Sequence, residues 1–208
     1  MDTRAYRLSC LKESNVFEVD FPEVLQVKAD LLEVAVGSNE EERRPALKAR
    51  SLNYVATDIR KNDWYERLKN SGFEPERKTV WVLEGVLYYL TESEARQVLT
   101  LIADKCPTVP TVLLADFINK PSLTMCSSLF HFCCDWPDHL LSSLGYSHVK
   151  LSQIGDPDAH FGLIEDSMNL FHKLRSLPRS QQTCPQDGTP CCRIYLVQAS
   201  GQPIQSSR

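Results

Sequence analysis

From residue 15 to about residue 150 short apolar runs alternate with helical patterns, and four of the apolar runs end on or run into a carboxylate. These runs are Asn15–Asp20, Ser51–Ala56 closing on Thr57-Asp58, Thr79–Leu83 running into Glu84-Gly85, and Thr111–Ala115 ending at Asp116. Their β-branched and apolar content reads as strand. Between them lie helical signals. Pro22 sits in a first turn, and Val24, Leu25, Lys28, Leu31 and Leu32 keep a helical period. Asp63 is placed as an N-cap for a helix through Lys69, and Gly72 stops it. Thr91 with Glu94 three residues on has capping-box spacing, ahead of Ala95, Val98, Leu99 and Ile102 on one helix face. Such alternation predicts an α/β fold with a mostly parallel sheet and helices on both faces. Thr79–Leu83, apolar throughout, is expected in the middle of that sheet.

Further along, the pattern predicts a helix over 138–144 stopped by Gly145, a short strand over 149–151, a helix over 161–177 and a final strand over 193–199. A single domain over 1–199 with a frayed polar tail over 200–208 is expected. The apolar, aromatic stretch Leu123–Trp136 reads equally as a lid or as a buried helix.

In an open parallel sheet, ligands bind at the carboxyl ends of the strands. Carboxylates gathered there suit a ligand rich in hydroxyls and amines: a ribose, an exocyclic adenine amine, an ammonium. The same acidic residues also suit the positive ends of the helices that follow. Spacing alone does not choose the nucleotide-like ligand.

Composition narrows the classes. The chain has 208 residues, 42% hydrophobic and 24% charged, with net charge −4, so no basic field favours a nucleic-acid backbone. No segment approaches the roughly 18 apolar residues of a membrane-spanning helix. The start, Met-Asp-Thr-Arg-Ala-Tyr-Arg, lacks the apolar core of a signal peptide. A cytoplasmic protein with reduced thiols and no membrane partner is therefore expected. None of the eight cysteines forms a CxxC pair, which favours buried free thiols over a metal site. His131, His139, His148, His160 and His172 are scattered and read as surface or packing residues.

Four segments occur in order: Asp2-Thr-Arg-Ala-Tyr-Arg-Leu8; Val16-Phe-Glu-Val-Asp-Phe-Pro-Glu-Val24 with Lys28; Thr57-Asp-Ile-Arg60 followed by Asp63-Trp64; and Trp81-Val-Leu-Glu-Gly-Val-Leu-Tyr-Tyr-Leu90. Together they resemble the leucine carboxyl methyltransferase family, in the branch of S-adenosylmethionine-dependent methyltransferases found in mycobacteria and plants. The resemblance is strong over roughly residues 1–120 and looser at the final strand. It implies a Rossmann-like class I methyltransferase sheet and S-adenosyl-L-methionine as cofactor. By position it implies that Asp20 holds the cofactor ribose, with Glu18 sharing the task. Asp58 takes the adenine amine and Ile59 packs on the ring, an isoleucine where the family has leucine. Glu84 lies near the methionine part. Arg4 and Asp2 match the segment after the family's Gly-rich turn, and Lys28 matches a lysine of the following helix, where a plain solvated lysine is an equal reading.

The implied reaction is O-methyl transfer to a small-molecule or protein carboxylate acceptor. A carboxylate acceptor needs no general base, and positioning does most of the work. Tyr6, Tyr88 and Tyr89 are candidates to line the acceptor side or simply to pack. The family's first strand and its Gly-x-Gly turn precede the Asp-Thr-Arg segment, whereas here Met1 stands directly before Asp2. The resemblance therefore implies a sheet whose first strand is missing, between those at Val16 and Val80, and weak or no cofactor binding by this chain. The alternative reading is a non-catalytic, shortened relative. A nicotinamide dehydrogenase is disfavoured because the sequence contains no GxGxxG.

Overall fold

The computed structural model describes residues 2–35, 46–120, 129–153 and 194–201. They fall into two compact units, Met1–Glu74 and Pro75–Arg208.

In the first unit a short helix α1 (Arg4–Arg7) leads to strand β1 (Asn15–Asp20), helix α2 (Pro22–Ala35), strand β2 (Ser51–Ala56) and helix α3 (Trp64–Asn70). β1 and β2 pair in parallel, from Asn15 opposite Ser51 to Asp20 opposite Ala56. Parallel neighbours need a long crossover, which the segment containing α2 supplies. Parallel pairing also brings both carboxyl ends, and hence Asp20 and Asp58, to the same end of the ladder. Leu25, Val55, Trp64 and Leu68 are buried. Phe73 meets Phe17 edge-on at 5.7 Å and Tyr65 at 6.2 Å. The inward stripe of α2 differs from the apolar pattern: Leu25 and Lys28 are buried, whereas Leu31 is 50% exposed. An ion pair described below makes the lysine the inward residue.

The second unit contains β3 (Thr79–Leu83), α4 (Glu92–Ala103), β4 (Thr111–Ile118), α5 (Pro137–Ser143), β5 (His148–Gln153) and β6 (Ile194–Gly201). Its strands order β3-β4-β6-β5. β3 and β4 are parallel, while β6 runs antiparallel to both β4 and β5. The sheet is thus parallel where strands and helices alternate and mixed beyond β4. Leu113, Ala115 and Phe117 stand opposite Ala199, Val197 and Tyr195, all buried on one face. Ala95, Val98, Leu99 and Ile102 form the buried stripe of α4. Removing each such leucine or isoleucine from water stabilises the unit by about 1.5–3 kcal/mol. The Tyr146 hydroxyl donates to the Leu99 carbonyl at 3.3 Å.

The capping box is present: Thr91 Oγ1 accepts the Glu94 N–H and Glu94 Oε2 accepts the Thr91 N–H. Strand β3 departs from expectation. Among the described residues it pairs with β4 alone, and Val80 and Val82 are exposed on one face. Likewise β1 pairs only with β2 among the described residues. β6 runs through Gly201, past the expected end at Ala199, because Ser200 remains in register with His148. The expected helix over 161–177 lies outside the described residues, as does 121–128. Residues 129–136 form turn and irregular chain, anchored by the Cys134 N–H to the Ile118 carbonyl at 2.8 Å. Cys10 is exposed, Cys106 buried and Cys133 and Cys134 half-buried, all as free thiols. Burial pushes the Cys134 thiol up to about 11.

Candidate cofactor site

Asp20 is the last residue of β1, where the chain turns into Pro22 and α2. One carboxylate oxygen accepts the Phe21 N–H at 2.8 Å, and the Asp20 carbonyl accepts the Thr57 N–H at 3.0 Å. The second bond extends the parallel ladder past Ala56 and places Thr57-Asp58 beside the end of β1. A carboxylate has about four lone-pair sites, so one backbone donor leaves it able to accept vicinal hydroxyls.

Asp58 is held by its own loop. Arg60 donates from its backbone N–H at 2.9 Å, from Nε at 2.9 Å and from Nη2 at 2.7 Å. These bonds, foremost the side-chain pair, hold the Asp58 carboxyl below the usual aspartate range. The Arg60 guanidinium also lies over the Phe21 ring, 5.8 Å from its centre. Ile59, between Asp58 and Arg60, is half-buried.

Glu18 stands two residues before Asp20 and shares its side of the strand. Its carboxylate pairs with Lys28 Nζ, and Lys28 is 3% exposed. The ammonium lies 5.9 Å from the Tyr6 ring centre and 5.4 Å from that of Tyr54, whose hydroxyls are 3.2 Å apart. Glu18 is therefore committed to a lysine, whereas Asp20 accepts a single backbone N–H among the bonds described above. Arg4 pairs with Asp2, Nε lying 2.9 Å from each carboxylate oxygen. Burial raises the Asp2 carboxyl, but the Arg4 bonds outweigh it and the group stays below its ordinary value.

In the second unit Glu84 is the exposed first residue after β3. Gly85 follows at φ +66°, and Asp116 Oδ1 accepts its N–H at 2.8 Å. Burial raises the Asp116 carboxyl above its ordinary value; hydrogen bonds from Gly85 and Tyr88 oppose this, and the Glu84 charge adds to it. Tyr88, Tyr89 and Phe130 pack with ring centres 4.6–5.1 Å apart. Among the described residues no group of three or more His, Cys, Asp or Glu side chains is arranged to hold a metal ion. No helix among them is long and apolar enough to cross a membrane.

The model of the leucine carboxyl methyltransferase family matches residues 1–103, the stretch that carries Asp20, Asp58 and Glu84. Over these residues the chain is similar to that family. A relative from Mycobacteroides abscessus, provisionally named an S-adenosyl-L-methionine-dependent methyltransferase, is 36% identical over 158 residues, 72% of this chain and 47% of the relative. Another of the same provisional name from Rhodococcus jostii is 41% identical over 90 residues, 43% of this chain and 27% of the relative. The chain thus spans less than half the length of these relatives. The crystal structure of a DUF574 family protein from Streptomyces avermitilis superposes with TM-score 0.50 at 11% identity, covering 93% of this chain and 67% of that one, so the α/β fold is shared.

β1 and β2 bring Asp20, Asp58 and Ile59 to one end of their ladder, and in the second unit Glu84 follows the carboxyl end of β3. Three features escaped the sequence reading. The Lys28–Glu18 pair had a faint signal, since ten residues separate a strand glutamate from a helix lysine on its inward stripe. The Arg60 clamp had a local one, an arginine two residues after Asp58. The Asp116 contact to the Gly85 turn had none, because its partner is 31 residues away.

Proposed function

We propose that this chain carries the adenosine-binding part of an S-adenosyl-L-methionine-dependent methyltransferase, Asp20 accepting the ribose hydroxyls, Asp58 the adenine amine and Ile59 covering the ring. The observation that supports this most is the Thr57-to-Asp20 bond at 3.0 Å, which sets the two carboxylates at adjacent ends of parallel strands. Ligands of α/β sheets bind at such ends. The residues fit the group: Asp20 keeps acceptor capacity, and Asp58 is held ionised by Arg60. When bound, the cofactor supplies an already activated methyl group.

The chain's own residues then bind and orient. An acceptor carboxylate, as the family name suggests, is ionised at neutral pH and needs no base. The role of the protein is to hold reactants in line and exclude water.

Calorimetric titration of the chain with adenosine and with S-adenosylhomocysteine tests the reading. Both are expected to bind weakly, with dissociation constants of about 1 mM. Asp20→Ala should abolish both signals, while Glu18→Gln should leave them in place. Wild-type chain that binds neither ligand would overturn the reading and leave a non-catalytic relative.

A further inference from the structure

β3 lies at one end of its sheet and, among the described residues, pairs only with β4. The Thr79 N–H donates to the Pro110 carbonyl at 3.2 Å, so the peptide groups of Thr79, Trp81 and Leu83 turn toward β4. Those of Val80 and Val82, which alternate with them, point to the outer edge. Side chains alternate likewise between the two faces. Val80 is 60% and Val82 41% exposed, and Leu114, opposite Val82 on β4, is 38% exposed. Lys78 and Glu84, both exposed, stand just before and just after the strand and continue the even-numbered series.

Edge strands of soluble proteins commonly carry a charge, a proline or a bulge that blocks further pairing. Thr79-Val-Trp-Val-Leu83 carries neither charge nor proline, and its ladder with β4 runs without a bulge. The charges sit instead at its two ends and are opposite in sign, which makes the edge self-complementary in one register. With a second copy antiparallel about a twofold axis at Trp81, Lys78 faces Glu84 of the other copy and Val80 faces its Val82, and each pair occurs twice. Even-numbered residues then meet even-numbered ones, so the outward N–H and C=O groups bond one another. A slip of two residues one way sets Glu84 against Glu76, and the other way sets it against Val80. Parallel in-register pairing sets Lys78 on Lys78 and Glu84 on Glu84.

We propose that the outer edge of β3 pairs antiparallel with the same edge of a second copy of this chain, joining two four-stranded sheets across a twofold axis at Trp81. This inference stands apart from the cofactor reading, and neither depends on the other.

Sedimentation equilibrium of the 208-residue chain tests it. A short edge-to-edge contact lies at the small end of protein interfaces, so a dimer with a dissociation constant on the order of 10–100 μM is expected. Val80→Pro deletes an outward N–H without touching the β4 ladder and should leave the chain monomeric with its circular dichroism unchanged. Lys78→Glu sets like charges at both symmetry-related pairs and should weaken the dimer about tenfold. Adding Glu84→Lys to it restores opposite charges and should return association to the wild-type level. In wild type, amide hydrogen exchange at Val80 and Val82 should slow as concentration rises, while exchange at Trp81 holds. If Val80→Pro does not fold, the two charge variants decide. A chain that stays monomeric up to about 500 μM overturns the proposal. So does a dimer that Val80→Pro leaves intact, or one that the single and double reversals weaken equally.

Discussion

Lys28 and Glu18 form an ion pair in which the lysine is 3% exposed, closed over by the rings of Tyr6 and Tyr54. The pair ties α2 to β1 two residues before Asp20, and it explains why α2 turns a lysine inward where its apolar pattern offers Leu31.

Breaking that pair from one side leaves a carboxylate without its partner in a closed setting. Lys28→Met is expected to lower stability by about 3 kcal/mol, and Glu18→Leu combined with Lys28→Met to recover much of the loss, because the uncompensated charge disappears. Chemical denaturation of the single and double variants measures this. Equal losses in both would show that packing of the lysine stem matters more than the charge.

Asp58 links the site to pH. Its folded pKa is lowered, foremost by the Arg60 side-chain bond, so its contribution is present above the unfolded value and fades as pH falls below about 4. Arg60 is half-exposed, so the contribution is modest, about 0.5 kcal/mol. Arg60→Ala should move the Asp58 titration, followed by carboxyl-carbon NMR, upward toward the ordinary aspartate range. It should also weaken adenosine binding at pH 4–5 more than at pH 7. A titration that does not move would remove Arg60 from the site.

Gly201 on β6 runs against Cys106. A Cβ at residue 201 would fall 2.2 Å from Cys106 Cβ and 2.8 Å from its sulfur. Gly201→Ala is therefore expected to destabilise by about 3 kcal/mol. Cys106→Gly in the same chain should return part of it, since the opposing Cβ is gone. Thermal melting of the two variants tests the close approach.

The capping box at Thr91 is local and exposed. Thr91→Ala should cost about 1 kcal/mol, and Thr91→Ser close to nothing, as read by denaturant midpoint.

The elements themselves were legible because their causes are local. β-branched runs marked β1 to β4, Thr91 and Glu94 specified a cap three residues apart, and Asp63 and Gly72 bracketed α3. The ends of β1 and β3 showed Asp20 and Glu84 as strand-end acids for the same reason. Their family context, four short segments in order, is likewise written along the chain.

What only the tertiary structure decided is which of those acids is free to act. Glu18 and Asp20 look alike in sequence, two residues apart on one face, yet a lysine ten residues on claims the first and a backbone amide takes only part of the second. Asp116 reads as a fourth strand-end acid, but β4 runs on to Ile118 because it stays paired with β6, so Asp116 stands inside the strand, where the parallel register of β3 and β4 sets it beside Gly85. The antiparallel place of β6 between β4 and β5 was equally invisible. Strand period and helix caps arise within three or four residues, so the sequence alone determines them. Strand neighbours and the Lys28–Glu18 pair join residues ten to ninety apart, and the competition among possible partners is settled only when the chain closes on itself.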